Sequence, residues 1–257
     1  MCLQLQFTKM HGCGNDYIYV DCRETGLPAQ AAEWSRALSR RHFSVGADGV
    51  IYICPPTLAG GDATMRMFNA DGSEGRMCGN GVRCVAEYLN THGLAKDTLE
   101  IDTHLAGRKT LRRLGAGVWQ ADMGRFALDP AALPAVGLGA GPLLHADLVA
   151  AGQSWDAACL SMGNPHCVIE WPGPAPLPTG AALAELGPQF EHPPAFPEGI
   201  NTEFIQVDGP RRLTMRVWER GSGETLACGT GACAAAAAMV LRGVCPRGET
   251  IEVALLG

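Results

Sequence analysis

Two cysteines 150 residues apart, Cys78 and Cys228, each open a Cys-Gly-x-Gly segment: Cys78-Gly79-Asn80-Gly81 and Cys228-Gly229-Thr230-Gly231. Each segment leads into an apolar run of helical spacing, which places each cysteine at a helix N-terminus. There the first backbone N–H groups have no intrahelical acceptor and the helix dipole is positive, a combination that favours thiolate over thiol. The glycines let the main chain approach a ligand closely with N–H groups turned outward, an arrangement suited to a carboxylate. Two such groups facing one another could invert a stereocentre, a thiolate taking the α-proton from one face and a thiol returning one from the other. The helix ends would stabilise the charge that develops, and a closing cleft between two domains would keep water away from so weak a carbon acid. A single Cys-Gly-x-Gly is equally a helix start packed against a strand; the second copy in register favours the chemistry.

The copies belong to a longer repeat. Thr64-Met65-Arg66-Met67-Phe68 returns as Thr214-Met215-Arg216-Val217-Trp218, Glu74 and Glu224 each stand four residues before their cysteine, and Gly14-Asn15 matches Gly163-Asn164. This predicts an internal duplication into two domains, 1–121 and 122–257, with the Gly115–Gly117 and Ala127–Pro142 stretches marking the connection. Strand patterns cover Leu3–Thr8, Asp16–Asp21, Gly49–Ile53, Thr64–Phe68, Thr98–Thr103 and Val118–Met123, then Thr202–Val207 and Arg212–Trp218. Helices are predicted over Gln30–Arg41, Gly79–His92 and Gly229–Arg242, the last two closed by Gly93 and Gly243. The fold class expected is α+β: two similar domains, each a mixed or antiparallel sheet wrapped around a central helix, with the active site in the cleft between them.

Composition narrows the function classes. At 257 residues, 47% hydrophobic and 18% charged, the chain is globular. A net charge of −6 with three lysines, Lys9, Lys96 and Lys109, leaves no basic stripe for nucleic acid. The run Ala232–Leu241 is too short to cross a bilayer, which takes about 20 residues. No export signal is read at the N-terminus, so the expected location is the cytoplasm. Eleven cysteines, an odd number without CxxC spacing, argue against a disulfide framework and against zinc. Cys84 and Cys233, inside the two helices, read as packing residues. None of the lysines lies in a glycine-rich phosphate site, which excludes pyridoxal phosphate, and neither a P-loop, a dinucleotide fingerprint nor a nucleophile elbow is present.

Four segments carry a resemblance: Phe7-Thr8-Lys9-Met10-His11-Gly12-Cys13-Gly14-Asn15-Asp16, Phe68-Asn69-Ala70-Asp71-Gly72-Ser73-Glu74 leading to Cys78, Ser161-Met162-Gly163-Asn164-Pro165-His166, and Glu219-Arg220-Gly221 leading to Cys228. The chain resembles the diaminopimelate epimerases along nearly its whole length. The resemblance implies an isomerase that interconverts LL- and meso-2,6-diaminopimelate in lysine and peptidoglycan precursor synthesis, with no cofactor and no metal, as a homodimer. It implies Cys78 and Cys228 as base and acid, and a substrate held by Asn15, Asn69, Asn164, Asn201, Glu219 and Arg220 with backbone groups of Gly79, Asn80, Gly229 and Thr230. By side-chain chemistry Arg220 suits a distal carboxylate and Glu219 an ammonium group.

Plainer roles stand beside these. Asn15 and Asn164 also fit turns, Asn69 a loop cap, Glu219 and Arg220 a surface ion pair, and His166 is either a core histidine or a proton relay. Two other functions fit the cysteine pair or the binding residues: a two-cysteine racemase of another amino acid, and a silent diamino-acid-binding protein. The first has less need of Asn164, Asn201, Glu219 and Arg220 together, and the second has no need of intact Cys78 and Cys228. Two departures from the family are visible. Some members carry glutamine at the position of Gly49, and members usually continue by roughly a strand pair beyond the position of Gly257, part of which returns to the first domain.

Overall fold

The computed structural model describes residues 5–104 and 106–257, and by packing the chain divides into Met1–Met123 and Gly124–Gly257. In the first unit, β1 (Thr8–Gly12) and β2 (Asn15–Asp21) form a hairpin. Its two turn residues, Cys13 and Gly14, both have positive φ, 54° and 78°, which matches the twist of a two-residue hairpin loop. The helix α1 (Ala31–Leu38) crosses to β3 (Gly49–Cys54), parallel to β2, and β4 (Ala63–Asn69) returns antiparallel. The short β5 (Glu74–Gly75) folds back on β4 and delivers the chain to α2 (Gly79–Thr91). Then β6 (Thr98–Thr103) runs parallel to β4, followed by β7 (Gly107–Gly115) and β8 (Val118–Ala121). The strand order is β1-β2-β3-β4-β6-β7-β8, and α2 touches both β1 and β8, so the sheet curls around this helix.

The second unit contains β9 (Ala146–Ala150), β10 (Gln153–Ser161), β11 (Pro165–Glu170), α3 (Ala181–Glu191), β12 (Asn201–Gly209), β13 (Arg212–Glu219), β14 (Gly223–Glu224), α4 (Gly229–Leu241) and β15 (Glu252–Ala254). The path β1-β2-β3-β4-β6 recurs as β10-β11-β12-β13-β15, with the same parallel and antiparallel joins and with β14 placed as β5 is. Each unit is therefore α+β, and the two share one topology. The hairpin loop is one residue longer in the second unit, where Ser161 pairs with Pro165 across Met162-Gly163-Asn164.

Both faces of each sheet are covered. In the first unit Val82, Val85, Ala86 and Leu89 of α2 pack on Ile51, Met65 and Leu99, while Ala31 of α1 and Tyr52 and Phe68 form a core on the other face. In the second, Ala234, Ala235, Ala238 and Met239 of α4 meet Leu160, Ile205 and Met215, and Leu183 and Phe190 of α3 meet Cys159 and Phe204 opposite. A strand covered on both sides has no alternation; all of Gly49–Cys54 is buried. Both site helices end alike: Leu94 N–H donates to Leu89 O and Val244 N–H to Met239 O, each at 2.9 Å, across Gly93 and Gly243 with φ of 101° and 75°. This six-to-one closure needs the left-handed residue that glycine supplies.

Several expectations change. Of the strand expected at Leu3–Thr8, Leu3 and Gln4 lie outside the described residues, and residues 5–7 carry no strand; pairing begins at Thr8 and runs to Gly12. The Val118 strand stops at Ala121, and α1 is shorter than Gln30–Arg41. The strand β7 went unread because its arginines and lysine mask the alternation, and α3 because Gly187 and Pro188 interrupt its pattern. Gly187 is there for space, since a Cβ would collide with the Trp218 ring. Among the described residues no two cysteines are joined by a disulfide; Cys84 is buried, as expected of packing, whereas Cys233 is only half-buried.

Candidate active site

Each cysteine is the N-cap of its helix, with nearly the same backbone: φ −128° and ψ 116° at Cys78, φ −123° and ψ 109° at Cys228. Extended dihedrals at this position turn the side chain back over the first turn, and each Sγ accepts a backbone N–H, from Gly81 at 3.2 Å and from Gly231 at 3.3 Å. Thiols thus fill the place that a serine or aspartate commonly takes. Gly81 and Gly231 lie close over the strand beneath: a Cβ on either would lie 2.6 Å from an atom of β3 or β12, Ile51 Cδ1 in the first unit and Glu203 Oε1 in the second.

Around Cys78 the partners come from the β1–β2 hairpin. The Cys78 thiol donates to Asn15 Oδ1 at 3.2 Å. Asn15 Nδ2 donates to Asp48 Oδ2 at 2.6 Å, and Asp48 Oδ1 accepts from Arg41 at 2.9 Å. The aspartate fixes which way the Asn15 amide points and so which atom meets the thiol. The Tyr17 hydroxyl is within reach of Asn15 and Cys78; burial, with Cys78 and Asp48 nearby, pushes it up. Asn80 is buried and its Oδ1 accepts from Arg83 at 2.8 Å, while Arg83 Nε donates to Gly79 O at 3.2 Å. Asn69 ends β4 with Nδ2 donating to Ser73 Oγ at 3.0 Å, the loop role weighed for it. At Gly49 a Cβ would run into Phe68 O and stand 3.0 Å from the Tyr17 ring, so a longer side chain such as glutamine has no room on this backbone.

Around Cys228 the set differs. Thr230 Oγ1 lies 3.4 Å from Sγ, and Asn164 Nδ2 donates to Thr230 Oγ1 at 3.5 Å. Asn164 Oδ1 is 3.1 Å from His166 Nε2, and His166 Nδ1 is 2.7 Å from Glu203 Oε1, the imidazole and the carboxylate being fully buried. Glu219, half-buried at the end of β13, accepts from the Thr225 hydroxyl. Burial, reinforced by Glu203, pushes the Glu219 carboxyl up against the Thr225 bond. Asn201 bridges strands, donating to Pro165 O at 2.8 Å and accepting from Arg220 N at 3.0 Å. Arg220 is exposed and its Nη1 donates to the Glu198 and Gly199 carbonyls at 3.2 and 3.4 Å. Among the described residues no ion pair joins Glu219 to Arg220, so the surface-pair role does not apply.

The thiolate expected at both helix ends needs a correction at Cys228. Only 6% of this residue is exposed. Burial first, then the Glu219 and Glu203 carboxylates, push its thiol well above the usual range, outweighing the Thr230 and Gly231 hydrogen bonds. Desolvation disfavours the charged form more than one helix end can offset. Glu203 and Tyr17 were missed from sequence. The signal for Glu203 was available: an acid inside Asn201-Thr202-Glu203-Phe204-Ile205, whose neighbours read as a covered strand. Among the described residues no three His, Cys, Asp or Glu side chains are grouped to hold a metal ion, and no helix is long and apolar enough to cross a membrane.

The chain was compared with known proteins. The family model for diaminopimelate epimerase matches residues 7–127 and 158–257. Diaminopimelate epimerase 1 of Nostoc sp. is 47% identical over 255 residues, covering 98% of this chain and 89% of the relative. Diaminopimelate epimerase of Desulfovibrio desulfuricans is 45% identical over 270 residues, covering 100% and 90%. Among solved structures, a hydroxyproline epimerase from Agrobacterium vitis superposes with a TM-score of 0.66 at 14% identity, covering 97% of this chain and 79% of that one. A probable proline racemase from Agrobacterium radiobacter gives 0.65 at 17%, covering 96% and 80%; at such identities the likeness concerns the fold. With matched N-cap thiols on a duplicated scaffold and relatives of this identity over the whole chain, the protein is an isomerase that belongs to the diaminopimelate epimerase family.

Proposed function

We propose that the chain interconverts LL- and meso-2,6-diaminopimelate by moving the α-proton between two thiols, Cys78 acting on one face of the α-carbon and Cys228 on the other. The observation that carries this reading is the matched placement of both thiols as N-caps, each with Sγ on the third residue's N–H. A carbon acid this weak needs a base and an acid already in position, and two like units, 1–121 and 122–257, supply one each. The N–H groups of each first turn, at Gly79 and Asn80 and at Gly229 and Thr230, suit the α-carboxylate. Asn15, Asn69, Asn164 and Asn201 supply amides, Glu219 a site for an ammonium and Arg220 a grip for the distal carboxylate. His166 reaches Cys228 through Asn164 and Thr230 and could relay a proton. We place the enzyme in the cytoplasm as a homodimer working on a free amino acid.

The test is incubation with LL-diaminopimelate in heavy water, following epimer formation and α-deuteration beside Cys78→Ala and Cys228→Ala. The wild type is expected to exchange and invert, and each variant to lose inversion by about 10²–10⁴-fold, the size of a general acid or base contribution. A folded wild type inert toward both isomers would overturn the reading.

A further inference from the structure

The two units differ most just beneath the helix that carries the thiol. The same ladder position holds Ile51 in β3 and Glu203 in β12, the first against Gly81 and the second against Gly231. A carboxylate fully buried in a strand core is expensive unless it is paired and hydrogen-bonded. Glu203 has one partner, His166 Nδ1 at 2.7 Å; its Oε2 has none. On the far side of the ring, Nε2 faces Asn164 Oδ1, again an acceptor. A ring between two acceptors satisfies both only when each nitrogen carries hydrogen.

We propose that Glu203 is a positioning residue for Cys228: by accepting from Nδ1 it keeps His166 a double donor, which orients Asn164 and leaves the Thr230 hydroxyl free to donate to Cys228 Sγ. The direction of each bond follows from the last. His166 Nε2–H donates to Asn164 Oδ1, so Asn164 presents its N–H to Thr230 Oγ1. With that oxygen accepting, the Thr230 hydrogen is available to Sγ, alongside Gly231 N–H. Sγ then meets two donors, and both favour the thiolate that burial opposes. The ionisable groups facing this network are Glu203 of β12, Glu219 of β13, His166 of β11 and Cys228 itself. Through this chain Glu203 sets donors on Sγ, although its own negative charge, like that of Glu219, opposes the thiolate. The first unit has no counterpart, because Ile51 can neither accept nor donate.

The kinetic arm of the test rests on the epimerase reading; the spectroscopic arm does not. Nitrogen-15 NMR of the whole chain, with the His166 ring identified by its loss in His166→Asn, is expected to show two ring N–H groups near neutral pH, and only one in Glu203→Gln. With diaminopimelate, Glu203→Gln is expected to lower kcat by about tenfold to a hundredfold, the worth of a hydrogen bond to a charged group. KM should stay within about twofold, and only one limb of the kcat–pH profile should move. A singly protonated His166 ring in the wild type, or a Glu203→Gln enzyme with unchanged ring signals and pH profile, would overturn the proposal. If Glu203→Gln does not fold, the wild-type ring alone decides. A wild type with no activity and a doubly protonated ring would refute the epimerase reading and leave the positioning role of Glu203 standing.

Discussion

Cys78 and Cys228 hold the same position on the same scaffold, yet their surroundings have diverged. The first is half-buried, donates to an asparagine held by Asp48 and Arg41, and stands over an isoleucine. The second is nearly enclosed, approaches a threonine, and stands over a carboxylate paired with a histidine. Duplication supplied two copies of the cap geometry, which depends on backbone and glycine, while the strand floors and hairpins beneath were free to change. The difference suits the proton exchange proposed for this pair, in which two chemically identical groups must rest in different protonation states for a turnover to begin.

Four measurements would break or sharpen this contrast. Placing a carboxylate in the first floor, Ile51→Glu, puts it opposite Tyr19 without a histidine; urea unfolding should show a loss of about 3–5 kcal/mol, as for an unpaired buried charge. A cost near zero would mean that the two floors are interchangeable. Next come the glycines over those floors. Gly231→Ala presses on a Glu203 pinned by His166 and should cost about 1–3 kcal/mol, whereas Gly81→Ala presses on the free end of Ile51. There the helical preference for alanine, about 1 kcal/mol, offsets much of the strain; equal costs would contradict the comparison. Third, timed alkylation read by mass spectrometry should label Cys78 at least about tenfold faster than Cys228, because the latter is buried and its thiol is pushed up. The reverse order would sink the assignment of the more protonated thiol.

The smallest effect is alkaline. Burial raises Cys228 well above the ordinary thiol range and pushes Cys54 up to about 12. The folded chain keeps these protons after the unfolded chain has lost its own, so their contribution is complete below about pH 9 and is lost as pH climbs towards 12. Tm should fall by about 2–4 °C per kcal/mol lost, and Cys54→Ala should fall less steeply above pH 9. Parallel curves would show that Cys54 takes no part.

The cysteine pair, the duplication and both site helices were legible because each rests on local signals: glycines after the cap, apolar spacing of 3.6, and a left-handed glycine at the end. Asn15 and Asn164 could be singled out by the repeat but not given partners, since Asp48 and Thr230 lie 33 and 66 residues away along the chain. The covered strands β10 and β11 were harder, because burial on both faces erases the period of two by which a strand is read. Sequence alone thus determined which residues are candidates for the chemistry, that they come in two copies, and that each caps a helix, all properties of short segments. Only the tertiary structure decided that Glu203 and Ile51 share a ladder position, that Tyr17 and Gly49 fill one another's space, and that Cys228 is the more deeply buried thiol. Burial and long-range pairing arise when strands distant in the chain come together, and no local pattern encodes them.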